Sequence, residues 1–365
     1  MYTIGKQKLL EIYEKHELRF DILFFIGGFT FDAFMVSEID DLFSLLQQAV
    51  YLLIIATAIH YEILFRLHKW RPSDGLLDRL WNYRNPLMHF LLGTLLNIYS
   101  LFYIKSASLI SSIVFLLLMV GLIIANELPL VKKAKVSLKV GLFSICLFSY
   151  ISILFPIILG FIGWTPFILS VSTTVVFFYF QLWFLKQQVS DKKVLFNAVM
   201  IPSFSVLALF AIFYVLGWIP PVPLSVKEQG IYHLVEKKEG HFLLSTEKKW
   251  WQFWQSGDQE FKARPQDVIY FYSQIYSPAR FSDQIFIQWI WKDPTRGWQK
   301  VDRIPMQILG GRKEGFRGFA SKSNYQPGEW RVQVETAMGH EISRLDFEVI
   351  TDTNTDQRKF NILTQ

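Results

Sequence analysis

The sequence has little cysteine and little charge. Its one cysteine, Cys146, lies within an apolar run, so no intramolecular disulfide can form and any soluble domain must be held by its core. Only 19% of the 365 residues are charged, whereas about a quarter are charged in ordinary soluble proteins, and 52% are hydrophobic. This balance excludes an ordinary soluble protein and indicates a membrane domain.

Motifs of common catalytic sites are also missing. The sequence has no nucleophile elbow, no glycine-rich phosphate loop, no zinc pattern and no Ser, His and Asp in a triad order. His60 and Glu62 are two residues apart and do not share a helix face, so with His89 they make a poor metal site. We therefore predict no metal, no cofactor and no catalytic residue, and an enzyme is the minority interpretation.

A nucleic-acid partner has little support. The net charge is +6, but residues 225–365 contain 20 basic and 18 acidic side chains, so no basic surface is indicated there. The excess of positive charge lies in the first 219 residues, where it follows the pattern of a membrane protein.

Seven apolar runs predict an all-α bundle of about seven transmembrane helices over residues 20–219. Each run is close to the ~20 residues that cross ~30 Å of hydrocarbon. A charged stretch, residues 1–19, precedes them as a cytoplasmic lead-in and lacks the features of a cleaved signal peptide. The runs are Phe20–Val36, about Leu42–Leu64, Leu87–Ile104, Ala107–Asn126, Val140–Ile162, Phe167–Leu185 and Val194–Trp218.

Basic residues alternate between the predicted loops. The amino-terminal stretch and the loops after the second, fourth and sixth runs hold 16 Lys and Arg, while the other loops hold one, Lys105. By the positive-inside rule the amino terminus is cytoplasmic, and an odd number of spans places the C-terminal domain in the periplasm or outside the cell. The loop Pro72–Pro86 has apolar residues at helical spacing and is either an interfacial helix or a spacer.

A proline-rich segment separates the helical part from a region of alternating residues. Pro220, Pro221 and Pro223 end the last helix, and residues 220–226 form a linker. Short strands with Gly and Pro turns then predict an all-β immunoglobulin-like sandwich over residues 227–350, with a small barrel as the alternative. The remaining residues, 351–365, are a polar tail that we expect to be frayed. The predicted strands lie near Val268–Tyr272, Ile285–Trp291, Trp298–Leu309, Gly315–Ser321, Glu329–Thr336 and Glu341–Ile350, and a hairpin turn joins the last two at 337–340.

Three groups of side chains are candidate sites. Asp32 lies inside the first span and is either a proton or ion site or a residue that reaches the interface. Glycines flank an arginine set that can present guanidinium groups to an anionic ligand, although ion pairs with the domain's own Glu314 or Glu335 explain the set equally well. Trp250 and Trp254 belong to a membrane-facing surface, a binding platform or the core. The arginines are Arg312, Arg317 and Arg331.

One further pattern extends over both halves of the chain. It consists of Gly27–Asp32 followed by Ile39–Asp40, Gly230–His233, Gly310–Arg312 with Gly315–Arg317, and Pro327–Val332. In order and spacing it resembles uncharacterised bacterial membrane proteins that carry a C-terminal domain of unknown function 2914, here roughly from Val268 to Ile350. The resemblance implies a bacterial inner (plasma) membrane protein and favours the sandwich, and it supplies no chemistry.

Together these observations predict a polytopic inner-membrane protein with a binding domain. Its periplasmic immunoglobulin-like domain is expected to bind a partner protein, an envelope polymer such as a glycan, or an anionic ligand, and the lipid bilayer is its other partner. The alternative is a transporter or channel-like protein that functions through the helices around Asp32. A membrane enzyme acting on a lipid-linked substrate is a third interpretation, and it requires an acid or base that the sequence does not show.

Overall fold

A computed structural model of the chain describes residues 39–73, 75–127, 135–252, 254–310 and 315–365. These residues form a helical N-terminal part followed by a β-rich C-terminal region. They group into two compact units. The first contains 39–101, 117–150 and 175–207, and the second contains 102–116, 151–174 and 208–365, so all the strands and the ends of several helices belong to the second.

The helical part consists mainly of long apolar helices. Asp41 begins the first of them, because its carboxylate accepts a hydrogen bond from the Ser44 amide at 2.8 Å. The helices are α1 (Leu42–Arg66), α2 (Leu76–Asn82), α3 (Arg84–Lys105), α4 (Leu109–Glu127), α5 (Val136–Leu159), α6 (Trp164–Lys186), α7 (Lys192–Leu195), a π-helical turn (Phe196–Met200) and α8 (Ile201–Val215).

Six of the seven predicted spans fall on these helices. Five stretches are long and apolar enough to cross a membrane, judged by length and composition among the described residues: α1, α3, α5, α6 and the continuous Lys192–Val215. The apolar part of α4, Ile110–Asn126, is shorter. The predicted first span, Phe20–Val36, lies outside the described residues. Helix α2 occupies the loop between the second and third predicted spans, and none of its residues is buried.

The β-rich region contains three antiparallel or mixed sheets. Strand orders are β1-β5-β8, β4-β10-β9-β6-β7 and β11-β3-β2, and the β4–β10 pair is parallel. The strands are β1 (Ser225–Tyr232), β2 (Leu234–Lys238), β3 (His241–Thr246), β4 (Glu260–Ala263), β5 (Ile269–Tyr276), β6 (Ser282–Asp293), β7 (Gly297–Leu309), β8 (Phe316–Lys322), β9 (Gly328–Thr336), β10 (Glu341–Thr351) and β11 (Asn361–Thr364).

Two of the three sheets share one hydrophobic core. Ile231 and Phe271 from the β1-β5-β8 sheet pack in the same cluster as Trp289 and Val334 from the five-stranded sheet. Alternating residues of each strand supply these side chains, as the period of a strand requires. A smaller cluster around Tyr232, which includes residues of β2 and β3, lies beneath the third sheet. The ring of Trp289 is fully buried.

Strands β5 to β10 lie where the alternating pattern predicts them, but the expectation for the tail is wrong. Residues 361–364 form β11 and pair with β3, and the backbones of Gln365 and Phe242 bond to each other at 2.8 and 2.9 Å. The apolar Ile362 and Leu363 supply a short strand, which the polar residues around them conceal in the sequence. The segment is therefore part of the fold.

Strand β7 forms one end of the five-stranded sheet. Most of its side chains are exposed, including those of Lys300, Arg303 and Pro305. Its inner edge pairs with β6 in a long antiparallel ladder that shifts register once, between Trp289 and Ile290.

Candidate functional site

Arg317 and Arg331, the two described arginines of the predicted set, do not converge. Arg317 lies on β8 and donates to the Gly240 carbonyl oxygen at 3.3 Å, whereas Arg331 lies on β9 in a different sheet. Arg331 forms a two-pronged ion pair with Asp346, at 2.6 and 3.0 Å, and its guanidinium group is 4.2 Å from the centroid of the Trp298 ring. The hydrogen bonds to Asp346 raise the pKa of Arg331 further. Arg331 is thus paired within its own domain.

Other predicted residues are exposed or fall outside the described part of the chain. Trp250 is 92% exposed and Trp254 is 60% exposed, which excludes the core interpretation for both rings. The ring of Trp254 is 5.6 Å from the ring of Trp251 between centroids. Arg312 and Asp32 lie outside the described residues.

The second unit contains a cleft of about 580 Å³, and the sequence did not predict it. Three surfaces line it: the junction between α3 and α4, strand β1 and strand β10. Ser256 and Gln259, in the segment before β4, complete the lining. The lining residues are Lys105, Ala107, Ser108, Ile110, Val226, Lys227, Glu228, Gln229, Ser256, Gln259, Ile342, Ser343, Arg344, Leu345 and Asp346.

Both strands of the cleft are bulged at the positions that line it. The register of β1 shifts between Val226 and Glu228, which makes Lys227 the extra residue and leaves its side chain exposed. The register of β10 shifts between Glu341 and Ser343, which makes Ile342 the extra residue. Bulges bend a strand and redirect its side chains, and they are frequent beside functional sites. The two irregularities therefore open the space between β1 and β10.

Gln229 holds the two strands of the cleft together. Its Nε2 donates to the Arg344 carbonyl oxygen at 3.1 Å, and its Oε1 accepts from the Ser343 hydroxyl at 2.8 Å. On the other side, the Nε2 of Gln259 donates to the Asp346 carbonyl oxygen at 3.1 Å. Because each amide uses directional bonds to the β10 backbone or a neighbouring side chain, the cleft walls are fixed before any ligand arrives.

Glu341 orients the arginine of the cleft. It accepts from the Arg344 guanidinium at 2.6 Å and from the Gln333 amide at 2.7 Å, and its other oxygen accepts a short hydrogen bond from the Ser108 hydroxyl. The Arg344 Nε is buried and has no acceptor in the part of the chain that the structure describes. An arginine held in this way retains a donor for an incoming acceptor.

The charges of the cleft favour an anion. The carboxylates of Glu341 and Asp346 are each paired with an arginine, Arg344 and Arg331. Burial raises the pKa of Glu228, while the nearby Lys248 lowers it. Lys105 is exposed and has no ion pair to a carboxylate among the described residues. Three basic side chains and two carboxylates line the cleft, and one of these carboxylates, Asp346, is neutralised by Arg331. The cleft can therefore attract a phosphate or carboxylate with its lysines and Arg344.

One signal in the sequence points to this site. Lys105 is the single basic residue in the predicted outer loops, and that isolation is unusual enough to mark it. The β1 and β10 residues carried no such signal, because strands β1 to β4 were not predicted and a bulge cannot be read from alternation.

The first unit holds a second polar cluster, within its apolar helices. Glu62 is fully buried and accepts from Lys139 at 2.8 and 3.0 Å and from Arg66 at 2.7 Å. Lys139 is also buried and donates to the Asn85 side chain at 2.7 Å. Glu62 lies in the predicted second span and Lys139 immediately precedes the predicted fifth span, and the pair was not predicted.

Comparison with known proteins confirms the predicted domain. Residues 282–349 match the family described as "Protein of unknown function (DUF2914)", so that the domain begins with β6 and includes the β10 wall of the cleft. No curated protein matches the sequence. Two crystal structures of a β-glucosidase from Kluyveromyces marxianus, one of them with glucose, are 11% and 12% identical and cover 29% of this chain, with a TM-score of 0.18. The matched part spans 14% of the β-glucosidase chain, and a TM-score this low does not indicate a shared fold.

Proposed function

We propose that this chain is a polytopic membrane protein that binds an anionic ligand in the cleft formed by β1, β10 and the α3–α4 junction. The observation that carries the proposal is the combination of fixed, bulged strands with a lysine and an arginine that line an open cleft of about 580 Å³. Concave sites of this size with a few convergent polar groups are typical of ligand binding. The immunoglobulin-like sandwich remains part of the proposal, supported by two sheets that share a core.

The proposed location is a bacterial inner membrane, with the amino terminus in the cytoplasm and the β-rich region in the periplasm or outside the cell. Five apolar helices support insertion, and the alternation of basic loops supports the orientation. The cleft would then bind its ligand on the outer side. In this proposal a partner protein or an envelope glycan can be the ligand, provided that it presents acidic groups to the cleft.

The orientation is tested by cysteine labelling of the full chain in intact cells. Cys146 is buried and so gives little background. A membrane-impermeant maleimide is expected to label Ser323→Cys in the β-rich region and to spare Ser190→Cys in the loop after α6; both positions are exposed. Labelling of Ser190→Cys alone would reverse the proposed orientation.

The binding proposal is tested with glycerol phosphate as the probe. The full chain in neutral detergent is titrated by calorimetry, in the wild type and in a Lys105→Ala, Lys227→Ala double variant. We expect the double variant to bind at least about tenfold more weakly, since each lysine near a phosphate contributes about 1 kcal/mol and about 1.4 kcal/mol corresponds to a factor of ten. Lys300→Ala, on the exposed face of β7, is the matched control. Equal binding by all three proteins would contradict the proposal.

A second candidate function rests on the Glu62 and Lys139 pair. Ionisable groups inside apolar helices are costly, and they often mark ion or proton pathways. The transport alternative, which the sequence analysis placed around Asp32, is therefore also supported by this buried pair in the first unit. A reconstituted proton-flux measurement separates the two functions: Glu62→Gln abolishes flux in the transport alternative and leaves glycerol phosphate binding unchanged.

A further inference from the structure

The cleft continues onto an exposed apolar face of helix α4. Ile110 lines the cleft and is 62% exposed. Ile113 and Val114, which follow it by three and four residues, are 46% and 45% exposed. Residues at this spacing share one face of a helix, so an apolar stripe leads away from the polar part of the cleft. A small soluble anion makes no contact with such a stripe, whereas an acyl chain packs along it.

A loop rich in tryptophan ends at the same cleft. Trp250 and Trp251 are exposed, and the Lys249 ammonium group is 5.8 Å from the centroid of the Trp251 ring. Trp254 is also exposed, and two residues later Ser256 lines the cleft. Tryptophan rings beside lysines are typical of segments at the level of lipid headgroups. The loop therefore supports a cleft that faces the membrane surface.

We infer, building on the function proposed above, that the ligand is an anionic membrane lipid. Its headgroup phosphate occupies the cleft near Lys105 and Lys227, and the Arg344 Nε supplies a hydrogen-bond donor. An acyl chain lies along Ile110, Ile113 and Val114. The tryptophan loop, residues 248–252 and 254–256, anchors the cleft among the headgroups. The site thus recognises a charged head and an apolar chain at once, which distinguishes a lipid from a soluble anion.

The test compares retention of a lipid with binding of its isolated headgroup chemistry. The full chain is reconstituted in equal parts of phosphatidylcholine and phosphatidylglycerol and extracted in mild detergent, and the retained phosphatidylglycerol is measured by native mass spectrometry. Glycerol phosphate binding is measured by calorimetry in the same detergent. The variants are the Lys105→Ala, Lys227→Ala double change and Ile110→Asn.

The lysine variant is expected to lower both signals about tenfold, and Ile110→Asn is expected to lower only lipid retention, by at least about threefold. The matched controls are Lys300→Ala and Ile168→Asn, the latter an equally exposed apolar residue on α6 at 56%. Because all the substituted side chains are at the surface, the melting temperatures are expected to be unchanged. This measurement shows that the variants are folded.

The two ways of failing are distinct. If Ile110→Asn retains the lipid as the wild type does while the lysine variant loses both probes, the ligand is a soluble anion, and the lipid inference is overturned with the proposed function intact. If neither probe depends on the lysines, the proposed function itself fails. Retention of phosphatidylcholine and phosphatidylglycerol in equal amounts by the wild type also overturns the inference, since it shows no preference for an anionic head.

Discussion

The hydroxyl group of Ser108 donates a hydrogen bond to the carboxylate of Glu341, which lies 233 residues further along the chain. Ser108 belongs to the short connection between α3 and α4, and Glu341 begins β10. The same carboxylate holds Arg344, so one residue joins a helix connection to the arginine of the cleft.

Removing the charge of Glu341 is expected to weaken both stability and binding. In Glu341→Gln the side chain still accepts from Ser108, but Arg344 loses its ionic partner while about four-fifths buried. Leaving a largely buried guanidinium without its carboxylate costs about 2 kcal/mol, and we expect a melting temperature lower by about 5 °C in thermal unfolding of the full chain. The control is Glu348→Gln, an exposed position on the same strand. A variant that melts with the wild type would show that Arg344 is positioned by its other contacts.

Asp258 and His233 are expected to change the stability of the fold with pH in opposite directions. Burial raises the pKa of Asp258 to about 6, and burial together with the Arg358 charge lowers the pKa of His233 to about 4. Between pH 4 and 6 the folded protein binds an extra proton at Asp258, so this group destabilises the fold as pH rises. His233 binds fewer protons folded than unfolded, and its contribution increases with pH over the same range. The two slopes therefore largely cancel in the wild type.

Asp258→Asn should expose the contribution of His233. The amide can still accept from the Thr246 hydroxyl, which now bonds the carboxylate at 2.8 Å. Relative to the wild type, the variant is expected to gain stability from pH 4 to pH 6, by up to about 3 kcal/mol. Thermal unfolding at a series of pH values measures the difference. A difference in stability between the two proteins that stays constant with pH would mean that Asp258 titrates at its ordinary pKa. The neighbouring Glu247 and Asp267 are present in both proteins.

Gly160 and Gly121 give a matched pair of glycine substitutions. Gly160 has φ +80°, its carbonyl oxygen accepts from the Ser282 amide at 2.8 Å, and an added Cβ would lie 2.5 Å from the Arg280 carbonyl oxygen. Gly160→Ala is therefore expected to destabilise the second unit by about 2 kcal/mol or more. Gly121 lies inside α4 with no atom within 4 Å of an added Cβ, and Gly121→Ala is expected to be neutral or stabilising by up to about 1 kcal/mol. Melting temperatures that fall equally would contradict this reading of the backbone.

The tryptophan loop can be located by an environment-sensitive label. A nitrobenzoxadiazole group attached at Trp250→Cys is expected to emit at shorter wavelength in nanodiscs than the same group at Trp298→Cys, because the loop enters the headgroup region. The control is Trp298→Cys on β7, where the side chain is 37% exposed and packs beside Arg331. Emission typical of water at position 250 in nanodiscs would remove the loop from the membrane and leave it as a binding platform for a soluble partner.

The Glu62 and Lys139 pair can be assigned by a double substitution. Glu62→Leu leaves the buried Lys139 charge without a carboxylate and is expected to cost about 3–5 kcal/mol, whereas Lys139→Leu is expected to cost less, because Glu62 keeps its ion pair with Arg66. The double change removes both charges and is expected to recover most of that loss. A double variant that folds but has no proton flux would assign the pair to transport. A double variant with the proton flux and stability of the wild type would assign the pair to helix packing.

The sequence predicted the elements that have a strong period and missed those that depend on distant partners. The helices follow from apolar runs of about 20 residues, and strands β5 to β10 follow from residues that alternate with a period of 2. Strand β11 and the bulge at Lys227 depend on pairing with β3 and β5, which lie elsewhere in the chain. Arg331 shows the same limit, because its type predicts an ion pair, but only the register of β9 against β10 identifies Asp346 as the partner.

Pro305 and the charges around it decide how the five-stranded sheet meets other chains. A proline in an outermost strand offers no amide to a newcomer, and exposed lysine and arginine side chains repel a second copy of the same strand. An edge strand without these features would pair with strands of neighbouring molecules and form fibrils, because proteins in a membrane have a high local concentration. Here the border terminates the sheet, and growth by added strands stops with β7.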